Sequence, residues 1–122
     1  MVGHLRDAGV DLGQARLLEI GTGWYPTFPF ALHLLGARSI ATFDLNRYLK
    51  PDLVVRLAKR LGHHTPLLAQ LAGVDEPAMR ARHAALLAAT ERSAATGTVD
   101  LAACSAGAVR YHAPADASAT EL

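Results

Sequence analysis

The feature that most constrains this chain is a short apolar run that ends in two glycines. Leu17-Leu18-Glu19-Ile20 is followed at once by Gly21-Thr22-Gly23. A nearly continuous apolar stretch of this length suits a strand buried on both faces, as in a parallel sheet. The glycines then close it with a tight turn. Phe28 to Leu35 reads as a helix, with Thr27 as N-cap, Pro29 in the first turn and Gly36 just past the end. Ser39 to Phe43 is a second apolar strand, closed by Asp44. Strand, glycine turn, helix and strand make one βαβ unit.

The middle of the chain is helical. Leu53, Val54, Leu57 and Leu61 repeat at helical spacing between Pro51 and Gly62, and Arg56, Lys59 and Arg60 fall elsewhere on the surface. Pro66 to Leu71 predicts a short helix. Asp75 and Pro77 open a longer, alanine-rich one that runs to about Ser93, and Val99 to Ser105 adds a turn or two. Val109 to His112 is a third strand, before Ala113-Pro114-Ala115-Asp116.

This order predicts an α/β fold with a parallel sheet. Right-handed crossovers give the strand order 3-2-1, half of a doubly wound, Rossmann-like sheet. Residues 15–48 are the first βαβ unit, 49–107 a helical insertion between strands 2 and 3, and 108–122 the third strand with its loop. Strand 1 would then lie at an edge although its residues are those of a central strand, which is a pairing hazard. The expectation is a truncated, incomplete domain, or one whose strand 1 edge self-associates or is covered by a partner.

The composition excludes several classes. The chain has 122 residues, 51% of them hydrophobic, and a formal net charge of +1. That is one small domain with material for a core, and no global charge that points to nucleic acid. No aromatic-plus-basic repeat supports nucleic-acid binding either. No apolar run reaches the roughly 20 residues that span a bilayer, so no membrane partner is expected. The one cysteine, Cys104, forms no internal disulfide and reads as a small core residue, which fits the cytoplasm. The adjacent His63 and His64 lack a carboxylate at ligand spacing, and no metal site is expected.

Three acids punctuate the strand ends: Glu19, Asp44 and Asp116. Open α/β sheets bind ligands at the carboxyl ends of their strands, so all three acids and Gly21 and Gly23 share one rim. A carboxylate ending strand 2 can accept both hydroxyls of a ribose, and an acid after strand 3 can reach an adenine amine.

Leu17-Leu18-Glu19-Ile20-Gly21-Thr22-Gly23 resembles the first motif of the class I S-adenosylmethionine-dependent methyltransferases. Phe43-Asp44-Leu45-Asn46 resembles their second motif, and Tyr111-His112-Ala113-Pro114-Ala115-Asp116-Ala117 the stretch after their third strand. The resemblance covers roughly residues 15–48 and 108–122. It implies that Glu19, Gly21, Thr22 and Gly23 line the methionine and ribose side of the cofactor. Asp44, with Leu45, would hold the ribose hydroxyls, and Asp116 the adenine amine with Ala117 beside the ring. Tyr25 stands where the family often has a third glycine. The methyl acceptor is unknown and no catalytic residue is indicated, because in this fold a base usually comes from beyond the third strand. Two alternatives stay open. One is a non-catalytic cofactor-binding remnant or interaction subunit. The other is NAD-type dinucleotide binding, whose G-x-G-x-x-G fingerprint would need glycine at Pro26.

Overall fold

The structure is a computed structural model that describes Gln14 and residues 16–114. Three strands, β1 (Arg16–Ile20), β2 (Ser39–Phe43) and β3 (Val109–His112), form one sheet in the order β1-β2-β3. Both pairings are parallel. Arg16 lies opposite Ser39 and Ile20 opposite Phe43, while Ile40 lies opposite Val109. The α/β class, the parallel pairing and the strand order are those expected from the sequence.

Five helices fill the crossovers: α1 (Thr27–Leu34), α2 (Pro51–Leu61), α3 (Thr65–Ala72), α4 (Glu76–Ala95) and α5 (Leu101–Cys104). Helix α1 is apolar almost all round, which suits a helix packed on several sides, and Pro29, Phe30, Ala31, Leu32 and Leu34 are buried. Pro26, not Thr27, is its N-cap, with no side-chain cap bond. The chain leaves α1 through Gly36 at φ 101°, a conformation that favours glycine. Arg82 of α4 closes the same end by donating Nε–H to the Leu34 carbonyl at 2.8 Å. Asp75 caps α4 by accepting from the Ala78 N–H at 3.1 Å.

Long α4 contacts each of the other described helices. Its buried residues Met79, Leu86 and Thr90 form one stripe. They join Phe30, Leu34, Ile40, Val54, Leu57, Leu101 and Val109 in, or beside, a single core. The core therefore lies against the sheet face that carries Ile40 and Val109. Two crossovers that step in the same direction across a sheet place their helices on the same side of it.

Strand β2 is buried along Ile40 to Phe43, as a central strand should be. Strand β1 departs from the expectation of burial on both faces. Leu17 and Glu19 are half-buried on the core side, whereas Leu18 is 47% and Ile20 72% exposed. The cause is position: β1 has one neighbour among the described residues, and its second face meets no helix there. No helix of the described residues is long and apolar enough to cross a membrane.

Candidate functional site

At the carboxyl end of β1 the backbone turns back on β2. The N–H groups of Gly21 and Thr22 both donate to the Phe43 carbonyl, at 2.7 and 3.3 Å. Gly21 and Gly23 sit at φ 86° and 72°. A Cβ added at either would meet nothing within 4 Å among the described residues, so the turn faces open space. The glycines are there for their backbone angles, and the space before them is free to hold a ligand.

Asp44 follows β2 and faces this turn. Its Oδ2 accepts the Gly23 N–H at 2.8 Å, and its Oδ1 accepts the Asn46 N–H at 3.3 Å. The carboxylate thus ties the glycine turn to the β2–α2 loop. A carboxylate has about four lone-pair sites, so acceptor capacity remains beyond these two bonds. Leu45 beside it is exposed.

Glu19 lies opposite Thr42 in the β1–β2 register. Thr42 Oγ1 donates to Glu19 Oε1 at 2.7 Å, and Thr42 and Thr22 hydroxyls lie 2.6 Å apart. Thr42 is 0% exposed and Thr22 is buried. Glu19 also borders an apolar cavity of about 130 Å³ under β1, formed with Phe28, Leu32 and Ile40. Burial pushes the Glu19 carboxyl above the usual carboxylate range; the Thr42 hydrogen bond opposes this and the nearby Asp44 charge adds to it.

Aromatic side chains edge the same rim. Trp24 is half-exposed, with the Tyr48 ring at 5.0 Å and Lys50 Nζ 5.6 Å from its centre. Arg47 is exposed yet anchored. Its guanidinium donates to the carbonyls of Ala113 at 3.1 Å and Val99 at 3.3 Å and stands 5.2 Å over the Tyr111 ring. It thereby joins the loop after β2 to the chain after β3. Beyond β3 an open cleft of about 410 Å³ is bordered by Arg47, Asp100, Arg110, Tyr111 and His112.

Glu19, Gly21, Thr22, Gly23, Asp44 and Leu45 therefore do come to one rim. Asp116 and Ala117 lie outside the described residues. Thr42 is the residue that sequence reasoning missed. A threonine in an apolar strand reads as a strand former, and only the register with β1 reveals its partner.

Compared with known proteins, the chain matches no family model, and no curated protein or solved structure matches it.

Proposed function

We propose that this chain binds S-adenosylmethionine through the rim of Glu19, Gly21–Gly23 and Asp44, as the cofactor-holding part of a Rossmann-like methyltransferase fold. One observation carries the reading. Two acids flank an open glycine turn, and each is tied to it by hydrogen bonds. The residues suit the group: Asp44 keeps acceptor sites for a ribose diol, and Glu19 puts negative charge on the side where the ammonium group shared by S-adenosylmethionine and S-adenosylhomocysteine would lie. Bound there, the cofactor would supply an electrophilic methyl group. The chain's own residues would position it, and the acceptor is left open because acceptor specificity resides in loops and insertions. The reading includes a cytoplasmic setting, in keeping with Cys104 as a buried thiol.

The same geometry argues against a dinucleotide. A pyrophosphate needs backbone N–H donors at the glycine turn. Here the Gly21, Thr22 and Gly23 N–H groups already bond Phe43 and Asp44. Two carboxylates nearby would repel it.

A second reading, a non-catalytic cofactor-binding subunit completed by a partner, is favoured by the exposed Leu18 and Ile20 on β1. Calorimetry with S-adenosylhomocysteine and with NAD separates the options. Binding of the first, weakened by Asp44→Ala, is the expected outcome. Binding of NAD alone, or of neither, refutes the proposal. Turnover by the purified chain with a panel of acceptors then distinguishes enzyme from subunit, and little or none is expected.

A further inference from the structure

We infer that Thr42 is a positioning residue: with Thr22 it forms a hydrogen-bond relay that links the protonation of Glu19 to the anchoring of the glycine turn. The ligand consequence rests on the cofactor reading above; the relay itself does not.

A threonine hydroxyl donates one hydrogen bond and accepts others. With Glu19 ionised, Thr42 spends its proton on Glu19 Oε1 at 2.7 Å. The 2.6 Å contact between the hydroxyls must then be made by Thr22 donating to Thr42. The Phe43 carbonyl, 3.4 Å from Thr22 Oγ1, receives no hydroxyl proton in that state. It keeps only the turn's own Gly21 and Thr22 N–H groups.

With the proton on Glu19 Oε1, the oxygen that faces Thr42, the chain runs the other way. Glu19 donates to Thr42, Thr42 donates to Thr22, and Thr22 donates to the Phe43 carbonyl. One proton on the carboxylate thus redirects every hydroxyl in the series and ends at the oxygen that anchors the turn. On the cofactor reading it would also remove the negative charge beside the ligand. Both hydroxyls are buried, so water does not readily substitute for either, and hydrogen bonds shielded in this way strengthen one another.

Among the described residues, the groups facing Glu19 are few. From β2 they are Thr42 and the Asp44 charge; from α1 they are Phe28, Pro29 and Leu32, none of them ionisable. Arg16, on the same strand, is exposed and its side chain belongs to the opposite face of the sheet.

The decisive measurement is an NMR titration of the Glu19 carboxyl carbon in the ligand-free chain, between about pH 4 and 8. Thr42→Val, which keeps the shape and removes the hydroxyl, should move the Glu19 midpoint upward, because the bond it deletes favours the ionised form. Thr42→Ser should bring it back. If Thr42→Val does not fold, Thr22→Val interrupts the same series one step further on and should shift the midpoint in the same direction by less. A midpoint unmoved in the folded variant overturns the relay. S-adenosylhomocysteine calorimetry on the same proteins reads the consequence. Affinity should fall as pH drops through the Glu19 midpoint, and Thr42→Val should weaken it about three- to tenfold at neutral pH, with Ser restoring it. If the unaltered chain binds no S-adenosylhomocysteine at any pH, the cofactor reading fails. The carboxyl titration still decides the relay.

Discussion

Asp44→Ala tests whether the acid after β2 holds the protein together as well as a ligand. Its Oδ2 takes the Gly23 N–H at 2.8 Å in a partly buried setting. A hydrogen bond to a charged group contributes about 1.5–3 kcal/mol, more than a neutral one. Its second bond, to the Asn46 N–H, is 3.3 Å long and exposed, and adds about 0.5 kcal/mol at the low end of the neutral range. Removing both should cost the ligand-free chain about 2–3 kcal/mol, a sizeable part of the about 5–15 kcal/mol typical of a folded domain. Asp44→Asn keeps one carbonyl oxygen for Gly23 but no charge, and should cost about 1 kcal/mol. Urea unfolding of the ligand-free proteins measures this, with the slope checked to show that the unfolded state is unchanged. If Asp44→Ala unfolds within about 0.5 kcal/mol of the unaltered chain, the anchoring role assigned to Asp44 is refuted. The Asn variant separates the two roles. It should weaken S-adenosylhomocysteine by more than its small loss of stability explains, because a ribose diol needs two acceptor oxygens and Asn offers one.

Gly62→Ala should destabilise by about 1–3 kcal/mol through overpacking: an added Cβ would lie 2.6 Å from His83 Cε1, and that ring is held by its Nε2 contact with the Ala58 carbonyl at 2.7 Å. Gly62 is in ordinary helical geometry, so in a His83→Ala background the same change should be neutral or slightly stabilising by thermal melting. For Glu19 the folded state holds a proton more readily than the unfolded one. Its contribution to stability is thus present at low pH and lost as pH rises through the folded value. Glu19→Gln should raise the melting temperature at neutral pH while weakening S-adenosylhomocysteine; a lower melting temperature would count against the assigned burial cost. His33 is pushed below the usual histidine range by burial, with Arg82 adding to it. Its contribution is present above the unfolded value of about 6.5 and is lost as pH falls below it. Melts from about pH 7.5 to 5 should therefore show less acid loss in His33→Gln.

Much of the fold was legible because punctuation and period agree. Pro51 and Gly62 bracket α2 as read, and Asp75 with Pro77 opens α4. Strands β2 and β3 fall on the residues expected. Strand order followed from the handedness of crossovers. What escaped was whatever depends on contacts between distant residues. Arg47 belongs to no motif in the sequence, and it bonds carbonyls 52 and 66 residues away. Thr42 looked like strand filler until its pairing placed Glu19 beside it. Leu18 and Ile20 read as core because composition tells a strand's preference, not whether a neighbour is present.

The rim is also where local consistency breaks, and that is informative about function. A half-buried carboxylate whose burial works against its charge sits in β1, beside a second acid that opposes it further. Two buried hydroxyls are committed to it rather than to packing. For stability alone, apolar residues of similar volume at Glu19, Thr22 and Thr42 would be equal or better, since a buried polar series is useful only when fully satisfied. One layer down on the same face of the sheet, the row of Leu17, Ile40 and Val109 is plain hydrocarbon. The buried hydroxyls of Thr90 and Ser105 bond carbonyls four residues back on their own segments, whereas the Glu19–Thr42–Thr22 series joins two strands to an open glycine turn. Departures from local rules gather at functional sites. A structural explanation would have to give the same three polar residues a packing role, and replacing all three together with apolar residues of similar volume (Glu19→Met, Thr22→Val and Thr42→Val), so that no partner is left unpaired, tests that directly. Gaining stability while losing S-adenosylhomocysteine affinity is the signature of a site, and losing stability alone is the signature of a scaffold.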